Sequence, residues 1–189
     1  MKKRVMLVVL GICLAMSSLF VLTACEKEAE AIRKTIESDL EKLKSGDIDA
    51  LGDMSDTYSA LEAEGIDSDR FFDVWLDGFD YAVGPITVKG KTATIELSIT
   101  IKQMGPAVSD FVEEATALSE EGAFDDLTED EANALFNELL LAAMEKQTPT
   151  TESVVLTYNR EGASWVAAAG NDAKLNQAFL GEASNLGQI

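Results

Sequence analysis

Eleven residues, Thr92 to Lys102, alternate without a break between apolar and polar side chains. Ala93, Ile95, Leu97, Ile99 and Ile101 share one parity, and Thr92, Thr94, Glu96, Ser98, Thr100 and Lys102 share the other. Successive side chains of a strand point to opposite faces. The stretch therefore predicts a half-buried antiparallel strand with its branched apolar set on a core and Lys102 on the solvent side. A strand-like segment, Tyr81 to Val88, precedes it through the turn Lys89-Gly90-Lys91. Val154 to Tyr158 and Ser164 to Ala168 predict a hairpin around Glu161-Gly162.

Elsewhere the apolar period is helical. Ala29 to Lys44 sets Ile32, Ile36, Leu40 and Leu43 on one stripe, with Glu30 and Lys34 an i,i+4 pair, and Gly46 ends it. Asp47 is the expected N-cap of a second helix carrying Leu51, Met54, Tyr58 and Leu61 up to Gly65. Ser68 is the expected cap of a third, where Phe71, Phe72, Trp75, Leu76 and Phe79 make a wide apolar face. Two more helices follow the alternating strand. One carries Val108, Phe111, Val112, Ala115 and Leu118. The other opens on the capping box Thr128-Glu129-Asp130-Glu131 and continues through Ala132, Leu135, Phe136, Leu139, Leu140 and Ala143. Pro149 closes this region, and a last helix, Asp172 to Leu180, stops at Gly181. The expected organisation is one α+β domain over 29–181, with N-terminal helices packed on an antiparallel sheet, a helical-pair insertion, and a disordered tail at 182–189.

The first residues have a different character. Lys2, Lys3 and Arg4 precede a run from Val5 to Ala24 that has no charged residue. A basic start before an apolar stretch is the pattern of a secretory signal, although the run is also about long enough to span a bilayer. Its end discriminates. Leu22-Thr23-Ala24-Cys25 matches a bacterial lipobox: an aliphatic residue, two small ones, then a cysteine whose thiolate is readily alkylated. Residues 1–24 are thus expected to be a lipoprotein signal peptide, Cys25 the lipidated residue, and 25–28 a short tether. Two or three acyl chains on Cys25 would hold the protein on the extracytoplasmic face of the cell membrane, where one chain alone holds marginally.

Processing there would remove Cys13 and leave Cys25, itself acylated, as the remaining cysteine, so no intramolecular disulfide could form. The fold must rest on its core, which about 165 residues can supply. All 34 acidic residues follow Cys25 and three basic ones precede it, so the net charge of −19 becomes about −22. A phosphate backbone would be repelled, which excludes nucleic acid as a partner. The total charge also predicts that anionic lipid repels the head. There is no histidine, and no thiol besides Cys13 and Cys25, so Ser-His and Cys-His catalytic arrangements are excluded.

The order of elements resembles the nuclear transport factor 2-like (cystatin-like) α+β fold. It looks like small bacterial lipoproteins that carry a domain of unknown function on that fold. The resemblance rests on "FDYAVGPITVKGKTATIELSIT", on "ESVVLTYNREGASWVAAAGNDAKLNQAFLG", and on the spacing of Gly162 and Trp165 within the second. It implies a cone-like, curved sheet with Trp165 on its concave side. The helical pair between Pro106 and Lys146 departs from the minimal fold and would lie across the mouth of the cone. Relatives of this fold include isomerases, dehydratases and non-catalytic binding modules, so fold does not decide function.

Three candidate chemistries remain. Asp47, Asp49 and Gly52 match part of an EF-hand loop, but Leu51 and Tyr58 stand where ligands are needed, so no metal is expected. Asp80 beside Tyr81, or Tyr158, are candidates for acid/base work in an isomerase or dehydratase. Phe72, Trp75, Phe79, Tyr81, Tyr158 and Trp165 form a candidate pocket for an apolar ligand or peptide, or else a core. The expectation is a lipid-anchored, non-catalytic module binding a small molecule or protein, with no cofactor and no catalytic residues. The alternative is an isomerase- or dehydratase-like enzyme using carboxylate and tyrosine chemistry.

Overall fold

A computed structural model describes residues 20–21, 28–48, 55–162 and 164–181. The expected lipobox, the start of the second expected helix with Asp49 and Gly52, and the expected tail lie outside the described residues. Elements run in the order β1 (Phe20–Val21), α1 (Glu28–Lys44), α2 (Ser55–Ala63), α3 (Ser68–Leu76), β2 (Asp80–Lys89), β3 (Thr92–Ile101), α4 (Met104–Glu120), α5 (Glu129–Glu145), β4 (Thr150–Glu161), β5 (Ser164–Ala167) and α6 (Asn171–Leu180). Strands β2 to β5 form an open antiparallel sheet in the order β5-β4-β3-β2, so the architecture mixes helices with a meander interrupted by α4 and α5. Two residues of β1 extend the β5 edge, with Phe20 opposite Trp165. The sequence reading places β1 in the signal segment and does not anticipate this pairing.

The alternation of β3 acts as expected. Ala93, Ile95, Leu97, Ile99 and Ile101 are all buried. In register beside them on the same face stand Tyr158, Leu156 and Val154 of β4, and Val88, Ile86, Val83 and Tyr81 of β2. The stripe Ile32, Ile36, Leu40 and Leu43 of α1 joins this core, as do Phe71, Phe72 and Trp75 of α3 and Leu175 and Phe179 of α6. The opposite face is polar: Ser98 bonds Ser153 (2.8 Å), Thr100 bonds Thr151 (2.7 Å), and Val155 is exposed.

Helix ends follow local chemistry. The capping box of α5 is formed, with the Glu131 carboxylate accepting from the Thr128 N–H at 2.9 Å and the Thr128 hydroxyl accepting from the Glu131 N–H at 3.3 Å. The cap of α3 departs from expectation by one residue. Asp67, not Ser68, accepts from the Arg70 N–H at 3.0 Å, and Ser68 is the first helical residue and buried. A carboxylate at the helix start satisfies an orphan N–H and faces the positive end of the dipole, so it wins over the neighbouring hydroxyl. Phe79 also leaves the expected helix. α3 ends at Leu76, and Gly78, at φ +81°, turns the chain against Pro149 before Phe79 enters the core. A Cβ at Gly78 would stand 2.7 Å from Pro149 Cγ, in a backbone region that L side chains rarely adopt.

Both edges of the sheet are managed by side chains. The register of β2 against β3 shifts between Val83 and Ile86, so that Gly84 and Pro85 form a bulge in β2. Arg33 of α1 donates to Val83 O (2.5 Å) and Gly84 O (2.6 Å) and so fixes the helix on this bulge. At the other side β5 is short, and beyond Ala167 the β4 backbone lacks a partner strand. Asn171 takes the place of a strand residue there, its amide accepting from Thr157 N–H (3.0 Å) and donating to Thr157 O (2.8 Å). Lys174 donates to Val155 O next to it (2.6 Å). An exposed row of unpaired N–H and C=O groups invites edge-to-edge association, and these two residues blunt it.

Candidate functional site

The residues expected to form a lipobox, Leu22, Thr23, Ala24 and Cys25, lie outside the described residues, but the start of the domain just after them is visible. Glu28, the first residue of α1, is buried at 7% exposure. Its carboxylate accepts from Arg160 Nη1 at 2.5 Å. Arg160 stands on the core-facing side of β4, beside Trp165. A charge inside a core is tolerated when it is paired, so this bond holds the start of the domain against the β4–β5 hairpin.

The six aromatic candidates divide into two groups. Phe72 meets Trp75 (ring centroids 6.3 Å), and Phe79 meets Tyr81 (6.4 Å). Phe179 joins them by reaching Trp75 at 6.1 Å and Phe79 at 6.4 Å, the second pair nearly parallel. Phe179 was not among the sequence candidates. The spacing of Leu175, Ala178 and Phe179, three and then one residue apart, marks the apolar face of α6 and is the signal that points to it. This group lies toward the end of the sheet where Tyr81 pairs with Ile99, and Trp75 Nε1 donates to Lys102 O at 3.2 Å. Tyr158 pairs instead with Ala93, and Trp165 follows on β5. Six residues separate Ala93 from Ile99, about 20 Å along a strand. Phe72, Trp75, Phe79, Tyr158 and Trp165 are buried, Tyr81 is half-buried, and all six belong to or pack on the hydrophobic core.

The acid/base candidates have partners of their own. Asp80 is exposed and bonded to Lys44 Nζ at 2.8 Å. That hydrogen bond holds its carboxyl below the ordinary carboxylate range, opposite to what a general acid needs. The Tyr81 hydroxyl ties β2 to α1 through Glu37 O (3.2 Å) and Glu41 Oε2 (3.0 Å). Its phenol is pushed up to about 12, by desolvation first and then by the Glu41 carboxylate. Tyr158 is pushed up to about 12 by burial first and by the charge of Asp39 second. Asp39, on α1, was not among the sequence candidates, because the neighbourhood joins two residues far apart in the chain.

Lys102 corrects a further expectation. It continues the solvent-facing parity of β3, yet its side chain is 6% exposed and its ammonium bonds Asp77 at 2.9 Å. The strand ends at Ile101, so parity no longer governs Lys102. Asp77, at the C-terminal end of α3, is 75% exposed, and the pair carries the buried stem to a charge at the surface. Among the described residues no group of three or more carboxylates or thiols converges to hold a metal ion, and no helix is long and apolar enough to cross a membrane.

No protein-family model matches the chain, and no curated protein matches it. Among solved structures, the chain is similar to a candidate lipoprotein (ycdA) from Bacillus subtilis subsp. subtilis str. 168. The identity is 11% and the TM-score 0.39, over 86% of this chain and 53% of that one. The chain thus spans about half the length of that protein. A likeness of this degree carries no statement about function.

Proposed function

We propose that the protein is a lipoprotein held on the extracytoplasmic face of the cell membrane through acylated Cys25, and that its head is a non-catalytic module binding a small molecule or a protein. The observation that carries the anchor is the tetrad Leu22-Thr23-Ala24-Cys25, three residues ahead of the buried Glu28 that opens α1. Each buried methylene contributes about 0.8 kcal/mol, so two or three acyl chains hold where one would slip. Within this reading the head has a nuclear transport factor 2-like architecture, with β2 to β5 as its wall and α4–α5 across its open end. The pairing of Asp80 with Lys44, and of Tyr81 with α1, supports a binding rather than a catalytic role.

The proximity of Asp39 to the buried Tyr158 is the one observation that favours the isomerase- or dehydratase-like alternative. The test of the anchor is metabolic labelling with an alkyne-bearing fatty acid. The wild-type protein takes up label and Cys25→Ala does not. Equal labelling of both, or of neither, contradicts the proposal.

A further inference from the structure

The turns β2–β3 and β4–β5 lie side by side at one end of the sheet. Lys89 pairs with Thr92, Thr92 pairs with Asn159, and the Arg160 N–H donates to Lys91 O at 2.8 Å. The same Arg160 holds Glu28, so α1 begins at this end too. Three residues from Glu28 back to Cys25 reach about 10 Å when extended. A lipid on Cys25 therefore enters the membrane within that distance of the place where the two turns meet the start of α1.

From Thr92 to Ile101, β3 carries the chain about 30 Å away from this end, and α4 and α5 follow from the far side. Charge divides along the same axis. Between Lys102 and Lys146 the sequence holds 12 acidic residues and no basic one. At the anchored end Lys89 and Lys91 are exposed, and among the described residues neither makes an ion pair. Of the acids at this end, Glu28 pairs with Arg160 and Glu30 with Lys34 at 3.1 Å, and Glu26 stands next to Cys25 in the sequence. Glu161 is exposed.

We infer that the Lys89-Gly90-Lys91 turn is a docking surface for the phosphate headgroups of anionic phospholipid, and that the head stands on this end with α4–α5 pointing away from the bilayer. The inference rests on the anchor at Cys25. It reverses what total charge alone predicts. The Debye length at physiological salt is about 8 Å, so a bilayer feels the two lysines beside it and not the acid about 30 Å off.

The test uses the full lipidated protein in phosphatidylcholine vesicles with and without phosphatidylglycerol. Acylation blocks Cys25, so Asn159→Cys or Ala123→Cys offers a single thiol for a fluorophore, at the turn end and at the α4–α5 junction respectively. Circular dichroism checks that each variant is folded. A headgroup-borne quencher is expected to dim the Asn159 label severalfold more than the Ala123 label. Lys89→Glu with Lys91→Glu is expected to weaken quenching at Asn159 with phosphatidylglycerol present and to leave it unchanged without. Equal quenching at the two sites, or indifference to the lysines in anionic vesicles, overturns the inference while leaving the anchor intact. Failure of the protein to float with either vesicle overturns the anchor and the inference together.

Discussion

Arg160 connects the start of α1, the sheet and the core, because its guanidinium is the partner of the buried Glu28 carboxylate. Arg160→Ala leaves that carboxylate buried and unpaired. The Arg160 side chain is itself 26% exposed, so water can partly replace it, and the expected cost is about 2 kcal/mol. A urea titration should show the lowered midpoint, and Glu28→Gln combined with Arg160→Met should recover part of it. An unchanged midpoint for Arg160→Ala would mean that the bond does not hold the domain.

The tyrosines give a pH signature at the same scale. Tyr81 and Tyr158 have phenols raised to about 12 in the folded protein, against about 10 in an unfolded chain. A raised folded value means that their contribution to stability is fully present below about pH 10 and is lost as pH climbs toward 12. Ultraviolet titration should find Tyr81 and Tyr158 still neutral at pH 10.5 while the fold persists. Titration of Tyr81 and Tyr158 near 10 in folded protein would contradict the placement of Tyr81 against Glu41 and of Tyr158 in the core.

At the scale of elements, the edges of the sheet matter most. Asn171 completes the β4 ladder where β5 ends, and Ala168 N–H also reaches Thr157 O at 2.9 Å. In Asn171→Ala the Thr157 carbonyl keeps a donor, but the Thr157 N–H loses its acceptor. The expected loss is about 1–2 kcal/mol, with faster hydrogen exchange at the Thr157 amide. Asn171→Asp keeps an acceptor and should protect that amide better than alanine does. Unaltered exchange in the alanine variant would show that the edge is closed by other means.

The elements also show what periodicity reveals. The β3 alternation, the α1 stripe and the α5 capping box are legible because each is set by residues within four positions of one another. The β2 bulge, the Asn171 mimicry and the Asp77–Lys102 pair are not legible. Each is an agreement between segments that meet only after folding: Arg33 with Gly84, Asn171 with Thr157, and Asp77 with Lys102. The aromatic set shows both sides. Its burial follows from spacing, but its division into a Trp75–Phe79–Phe179 group and a Tyr158–Trp165 group follows from strand register, which composition does not carry.

At the scale of the molecule, the proposed acylation at Cys25 would stand three residues from the paired Glu28 that opens the domain, with acidic charge in the distant α4–α5 pair. Processing at Cys25, as proposed, would leave the head no disulfide, so its stability lies in the packed face shared by α1, α3, α6 and the sheet. The measurement that tests the account most directly is the intact mass of the protein extracted from membranes of its native cells. The account predicts a chain that begins at Cys25 and carries a diacylglyceryl thioether, with or without a third acyl chain on the new N-terminus. A mass that retains Met1 and the apolar run, or one that begins with an unmodified Cys25, would contradict it.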